Sequence, residues 1–333
     1  MPWSRTADGA LFIDVDPVTG GPRTKERCLR EHSHTIDERA WSTGGNRAGS
    51  LYHRCREGAG TVSTREVSGM ILAANAVRAK LAAGRRVAGS VVYSWSPAVA
   101  DVAGFAGLDY LRIDTEHAWR RDSSLEALIR AAIQGGVVPI VRVDRDDPYL
   151  VRKVLELGAG GIIVPDVCSA EEAESVVRAA KFPPRGERGY SGNCWSAGWG
   201  AHAGEGWVSW SNREPLIGVM IENIEAMDRI DAIVAVDGVD FVLFGPADFS
   251  MSLGLPAPKA SDPRVQAAIE KTIEAAHSAG KFVSLGVGTD SDDIRRQAKR
   301  GVDMLELGND LGLLRSAWKA AVSTLALEDD RSK

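Results

Sequence analysis

Two acids carry the first chemical signal. Glu222 closes the apolar run Leu216–Ile221, and Asp248 follows Phe241–Phe244 through Gly245-Pro-Ala. Short apolar runs bounded by polar or turn residues read as buried parallel strands. The stretch between them, residues 224–236, is patterned as a helix, so the segment reads as one βαβ unit with a carboxylate at each strand exit. Neighbouring parallel strands lie about 5 Å apart. Two carboxylates at adjacent exits repel unless a cation sits between them or one keeps its proton. With oxygen donors and no Cys or His nearby in the chain, the guest that suits them is a hard divalent cation such as Mg²⁺ or Mn²⁺.

Other strand exits add His117, Arg142 and Asp166. A metal with an arginine can hold a 2-keto acid and stabilise its enolate, and a histidine can move the proton. Lysine is missing from these positions: Lys281 stands where a strand enters, and Lys153 lies within a helix. A Schiff-base mechanism is therefore disfavoured. Each residue also has a plainer role open to it. An acid at a strand exit can cap the next helix, His117 can be a hydrogen-bonded structural residue, and Arg142 can pair with Asp144 or Asp146. Asp166 reads as structural.

The elements that must position these residues alternate from Met70 onward. Strands are expected at 87–93, 109–113, 137–141, 161–164, 216–221, 241–244, 282–285 and 304–307. Helices are expected at 71–83, 96–107, 123–134, 147–157, from Ser169, and at 224–236, 263–279, 290–300 and 313–325. Ser169-Ala-Glu-Glu has capping-box spacing. A Trp- and Gly-rich segment, 182–214, interrupts the rhythm. It contains Arg185-Gly-Glu-Arg-Gly-Tyr-Ser-Gly192, readable as a lid, a subunit contact or an ordinary loop. Eight strand–helix repeats in this length match a (β/α)₈ TIM barrel, which typically needs roughly 250 residues. An open doubly wound sheet would stop at five or six strands and carry a glycine-rich phosphate loop; Gly286-Val-Gly288 is a poor match. The expected organisation is an irregular N-terminal extension, 1–69, and a catalytic barrel, 70–333.

The totals fit a soluble enzyme. The chain has 333 residues, 44% hydrophobic and 26% charged, with a formal charge of −5. That balance offers nothing to nucleic acid, and no apolar run is long enough to span a membrane. Neither an apolar leader core nor Cys-x-x-Cys spacing is present, so Cys28, Cys55, Cys168 and Cys194 are expected to be reduced thiols in a cytoplasmic protein. Cys28, His32, His34, His53 and Cys55 lack zinc-finger spacing and read as part of an arm.

In order along the chain, Ile113-Asp-Thr-Glu-His117, Pro139-Ile-Val-Arg142, Ile163-Val-Pro165, Pro183-Pro-Arg-Gly-Glu-Arg-Gly189, Ile221-Glu222 and Gly245-Pro-Ala-Asp248 resemble the HpcH/HpaI family. These are metal-dependent class II pyruvate aldolases, such as 4-hydroxy-2-oxoheptanedioate aldolase and 2-dehydro-3-deoxyglucarate aldolase. The likeness spans residues 72–326. It implies that Glu222 and Asp248 ligate a divalent cation (Mg²⁺, Mn²⁺ or Co²⁺) and that His117 is the catalytic base. By the same likeness Arg142 binds the keto oxygen and stabilises the enolate. Ala247 and Asp248 offer backbone N–H groups to the substrate carboxylate. The carboxylate that raises the basicity of the histidine falls on Glu156, an aspartate in the family; Asp114 is the other candidate. Met220 stands where these aldolases carry a substrate-contacting glutamine, and methionine cannot donate that bond. The implied reaction cleaves or forms the C–C bond of a 4-hydroxy-2-keto acid, giving pyruvate and an aldehyde. Its alternative is oxaloacetate decarboxylation or a macrophomate-synthase-like condensation. The family assembles as hexamers with the last helix exchanged, so 313–325 is expected to serve a homo-oligomer.

Overall fold

The computed structural model describes residues 4–5, 11–12, 72–117, 123–145 and 147–331. Contacts divide the chain into two compact units, Met1–Ser63 and Thr64–Lys333. In the first, Ser4–Arg5 pairs antiparallel with Leu11–Phe12. The Cys28, His32, His34, His53 and Cys55 group lies outside the described residues.

The second unit is a closed barrel of eight parallel strands. They are β1 (Val87–Val92), β2 (Tyr110–Asp114), β3 (Val138–Arg142), β4 (Gly161–Val164), β5 (Leu216–Ile221), β6 (Phe241–Phe244), β7 (Phe282–Gly286) and β8 (Met304–Asn309). Each strand pairs with the next in sequence, and β8 closes on β1. The (β/α)₈ barrel expected from the alternation is what the chain forms.

Side chains alternate across the wall, as a period of two requires. Leu111, Ile113, Val141, Ile217, Val219, Ile221, Val242 and Phe244 pack outward in the large core shared with the helices. Tyr110, Ile140, Ile163, Leu216, Met220, Phe241, Leu243 and Met304 meet inside the barrel. Arg112 and Asp114 share the inward face with Tyr110, Arg142 with Ile140, and Glu222 with Met220. Two inward glycines make room for aromatic rings from the neighbouring strand. A Cβ on Gly89 would lie 2.4 Å from the Tyr110 ring, and one on Gly218 would lie 2.2 Å from the Phe241 ring.

The lower end of the barrel is stoppered. Helix α1 (Ala76–Ala82) sends Val77 and Leu81 into the interior cluster. Asn75 caps α1 by accepting from the N–H groups of Val77 and Arg78, and its own N–H donates to Glu214 Oε2 at 2.8 Å. That cap is why α1 begins at Ala76 and not at residue 71. The upper end, where the strands finish, is left as the mouth.

Between strands run α2 (Pro97–Phe105), α3 (Ser124–Gln134), α4 (Pro148–Glu156) and α5 (Ala170–Ala180). The interrupting segment contains a helix that its Trp and Ser content hid, α6 (Glu205–Arg213), anchored by the fully buried Trp207. The helix expected at 224–236 is two, α7 (Ile224–Asp228) and α8 (Ile230–Val234). The bend at Arg229 lets Met227 and Ile230 both reach the core. A short α9 (Pro246–Ser252) follows β6, before α10 (Pro263–Ser278) and α11 (Ser291–Arg300). The last helix, α12 (Asp310–Arg331), is longer than 313–325.

Candidate active site

Asp114 ends β2 fully buried. Its Oδ1 accepts from the N–H groups of Glu116 at 3.0 Å and His117 at 3.1 Å, which folds the 114–117 turn back over the strand end. Its Oδ2 accepts from Arg142 Nη2. Burial alone would raise its pKa, but Arg142, the His117 N–H and Arg112 prevail and hold Asp114 below the usual aspartate range. Arg142, at the end of β3, also places Nη1 2.7 Å from Glu116 Oε2. Its Nε is buried without a hydrogen-bond partner among the described residues. Arg142 thus pairs with Asp114 and Glu116 and keeps one donor free.

Across the mouth, Glu222 follows β5 and is 7% exposed. The Asp166 N–H donates to its Oε1 at 2.7 Å. Asp166 sits at φ 51°, a left-handed conformation that aspartate tolerates better than most residues. Asn223 Nδ2 steadies the Asp166 side chain at 2.6 Å, so the structural role expected for Asp166 is to aim Glu222. Gly245 packs on the other side, where a Cβ would lie 2.8 Å from Glu222 Oε2. Burial first, then the negative charges of Asp248 and Glu116, push the Glu222 pKa up to about 7, against the pull of the Asp166 N–H and Arg142. Asp248 and Ala247 are exposed in the first turn of α9. The first α9 N–H with an acceptor one turn back is that of Phe249, which leaves the Ala247 and Asp248 N–H groups among the unfilled donors of a helix start. His117 has a 60% exposed side chain, with Nε2 3.8 Å from Glu116 Oε2.

Comparison with known proteins now decides the family. Residues 89–317 match the family model described as HpcH/HpaI aldolase/citrate lyase. The chain belongs to that family. It is 34% identical over 225 residues to the hydroxypyruvate/pyruvate aldolase of Chromohalobacter salexigens, covering 67% of this chain and 87% of that protein. It is 33% identical to the 5-keto-4-deoxy-D-glucarate aldolase of Escherichia coli, covering 69% and 88%. The crystal structure of the citrate synthase SbnG superposes with a TM-score of 0.68 at 31% identity, covering 76% of this chain and 98% of that one. An enzyme of a carbon–carbon lyase family therefore stands behind the mouth geometry.

In this HpcH/HpaI member Glu156 lies away from the mouth of its own barrel. That residue ends α4, just before β4 opens at Gly161. Gly158 and Gly160, which follow it, line a groove at the stoppered base with Asn75 and Glu214. His117 lies at the other end. A strand of five residues at about 3.3 Å per residue is about 16 Å long, well beyond a glutamate's reach. Within one chain Glu156 does not pair with His117; it acts instead on Arg188. Met220 is buried among the apolar interior residues below Glu222.

Sequence reasoning missed Tyr93, Arg112, Glu116 and Glu306. Arg112 Nε and Nη2 donate to Glu306 at 2.8 and 3.0 Å inside the barrel. The signal was available: Arg112 and Asp114 alternate with Leu111 and Ile113, and Glu306 interrupts the apolar run of β8. Among the described residues no three His, Cys, Asp or Glu side chains converge as a ready metal cage. No helix among them is long and apolar enough to cross a membrane. Cys168 and Cys194 are free and buried.

Proposed function

We propose that this chain cleaves, or in reverse forms, the C3–C4 bond of a 4-hydroxy-2-keto acid, yielding pyruvate and an aldehyde. The observation that carries this reading is the strained charge at Glu222. A buried carboxylate crowded by Asp248 and Glu116, with its pKa pushed up to about 7, is short of positive charge. A divalent cation such as Mg²⁺, Mn²⁺ or Co²⁺ fits that deficit. Glu222 and Asp248 would hold it, leaving its other positions to substrate and water. Such an ion supplies Lewis-acid polarisation of a 2-keto acid.

The chain's own residues do the rest. Arg142, fixed by Asp114 and Glu116, directs its positive charge at the keto oxygen. The Ala247 and Asp248 N–H groups bind the substrate carboxylate. His117, directly or through water, takes the proton from the 4-hydroxyl. The C3–C4 pair then collapses into the pyruvate enolate as the aldehyde leaves, and protonation at C3 gives pyruvate. Arg142 stabilises the enolate charge throughout. Treatment with EDTA should abolish cleavage and added Mg²⁺ or Mn²⁺ should restore it; full activity in EDTA would refute the scheme.

A second reading keeps the enolate and drops the aldehyde, as in oxaloacetate decarboxylation or condensation. Met220 favours it, because an apolar side chain replaces the family's glutamine donor. A citrate synthase among the relatives is in keeping with such a use of the fold. Turnover of oxaloacetate to pyruvate and CO₂, with 4-hydroxy-2-keto acids inert, would select it.

The working unit in this reading is a cytoplasmic homo-oligomer, a hexamer by family likeness. Helix α12 leaves Leu314, Trp318, Val322 and Leu325 exposed. Beside it lies an apolar cavity of about 580 Å³ lined by Val99, Val102, Leu108, Leu307 and Leu313. Since Glu156 is out of reach of its own His117, a second copy is the source of that carboxylate. Mixing inactive His117→Ala and Glu156→Ala protomers should then regenerate turnover that neither has alone; no recovery would refute the shared site.

A further inference from the structure

Charges of alternating sign run from the barrel interior to the mouth. Glu306 on β8 accepts a fork of two bonds from Arg112 on β2. The remaining Arg112 nitrogen, Nη1, lies 3.5 Å from Asp114 Oδ2 and has no hydrogen-bond partner among the described residues. Asp114 holds Arg142, Arg142 holds Glu116, and Glu116 lies 3.8 Å from the His117 imidazole. Glu306 and Arg112 are 3% and 8% exposed.

Stability does not call for ions at this depth. Desolvating a buried pair costs several kcal/mol per ion, and apolar residues of the same volume commonly serve as well or better. The layer immediately below is built that way, from Tyr110, Ile140 and Met304. What an arginine fork adds is direction: two bonds to Glu306 leave Nη1 aimed at Asp114.

We propose that Arg112 and Glu306 are positioning residues: Glu306 fixes the Arg112 guanidinium, and Arg112 orients Asp114 so that Arg142 and the His117 turn stay in register at the mouth. This rests on the lyase reading above and names the device that aligns its arginine. Asp114 is faced by Arg112 from its own strand, Arg142 from β3 and the Glu116 and His117 N–H groups from the turn. Tyr93 beyond β1 and Glu306 on β8 complete the surrounding charge. Removing Arg112 takes away one of the cations that keep Asp114 ionised, so the acid limb of activity moves to higher pH.

The test uses the full chain with Mg²⁺ and pyruvate, following methyl proton–deuterium exchange against pH, alongside kcat and KM for cleavage. The Arg112→Met/Glu306→Met double variant should fold with a Tm at or above the parent. Its exchange rate should fall about 10- to 100-fold at nearly unchanged KM, the scale expected for a small misalignment. Its acid limb should rise by about one pH unit. Arg112→Lys should keep part of the rate, because an ammonium restores charge without the fork. A folded double variant with the parental rate and pH profile overturns the proposal. Should the double variant unfold, Arg112→Lys decides, and a parental pH profile and rate there overturns it equally. Exchange absent from the parent protein sinks the lyase reading and this proposal together, whereas exchange in the parent with no change in the variants sinks this proposal alone.

Discussion

The two ends of the barrel hold charge in opposite ways. At the base Arg78, Lys80 and Glu214 each have close partners. Arg78 reaches both Asp240 oxygens at 2.8 Å and the carbonyls of Glu214 and Pro215. Lys80 pairs with Asp109, and Glu214 accepts from the Asn75 N–H. At the mouth the charges are aimed but unfinished: Arg142 keeps a bare Nε, Glu222 is crowded by acids, and Asp248 stands exposed. The base spends its polar groups on closing the fold, and the mouth keeps them for a ligand. A (β/α)₈ barrel divides stability and chemistry along this axis.

Mutations at the two ends should therefore separate cleanly. The largest effect belongs to the mouth: Glu222→Ala or Arg142→Ala should lower pyruvate-forming turnover by about 10³-fold, the scale for losing a key electrostatic group. Retained activity in either would erase the contrast. Next comes pH. The Glu222 pKa is raised from the ordinary 4.5 to about 7. Between those values the folded metal-free protein binds more protons than the unfolded chain, so its stability falls as pH rises through that window. The loss is at most about 3 kcal/mol. Urea denaturation at pH 5 and pH 7.5 should register it, and Glu222→Gln should flatten it. The smallest effect belongs to the base. Arg78→Ala, which strands Asp240, should cost about 2 kcal/mol of stability, below the range for fully buried pairs because both partners are partly solvated. Its kcat should stay near the parental value, and a large fall in kcat without loss of Tm would show that the ends are not independent.

Most of the architecture was legible because it is written locally. Short apolar runs bounded by polar or turn residues marked all eight strands to within a residue or two, and Gly or Asp-Pro boundaries marked the helices between them. Glu222 and Asp248 could be singled out for the same reason: Glu222 follows directly on its strand, and Asp248 stands just past Gly245-Pro-Ala at the end of its own. Helix 224–236 was misjudged because its apolar period continues through Arg229, where the barrel surface demands a bend. Helix α6 was hidden because Trp207 earns its place by burial and not by propensity.

The residues alone thus determined the barrel, the mouth, and which side chains stand at each strand exit. Only closure of the barrel decided which of them meet. Arg112 and Glu306 are 194 positions apart and touch because β8 comes round beside β1. Arg142 turned to Asp114, its register partner across the β2–β3 pair. Glu156 went to the far end because a helix after a strand must run back down the wall. Side-chain period is a property of a few neighbouring residues, whereas the partner of an inward charge is set by which strands the closed sheet brings face to face.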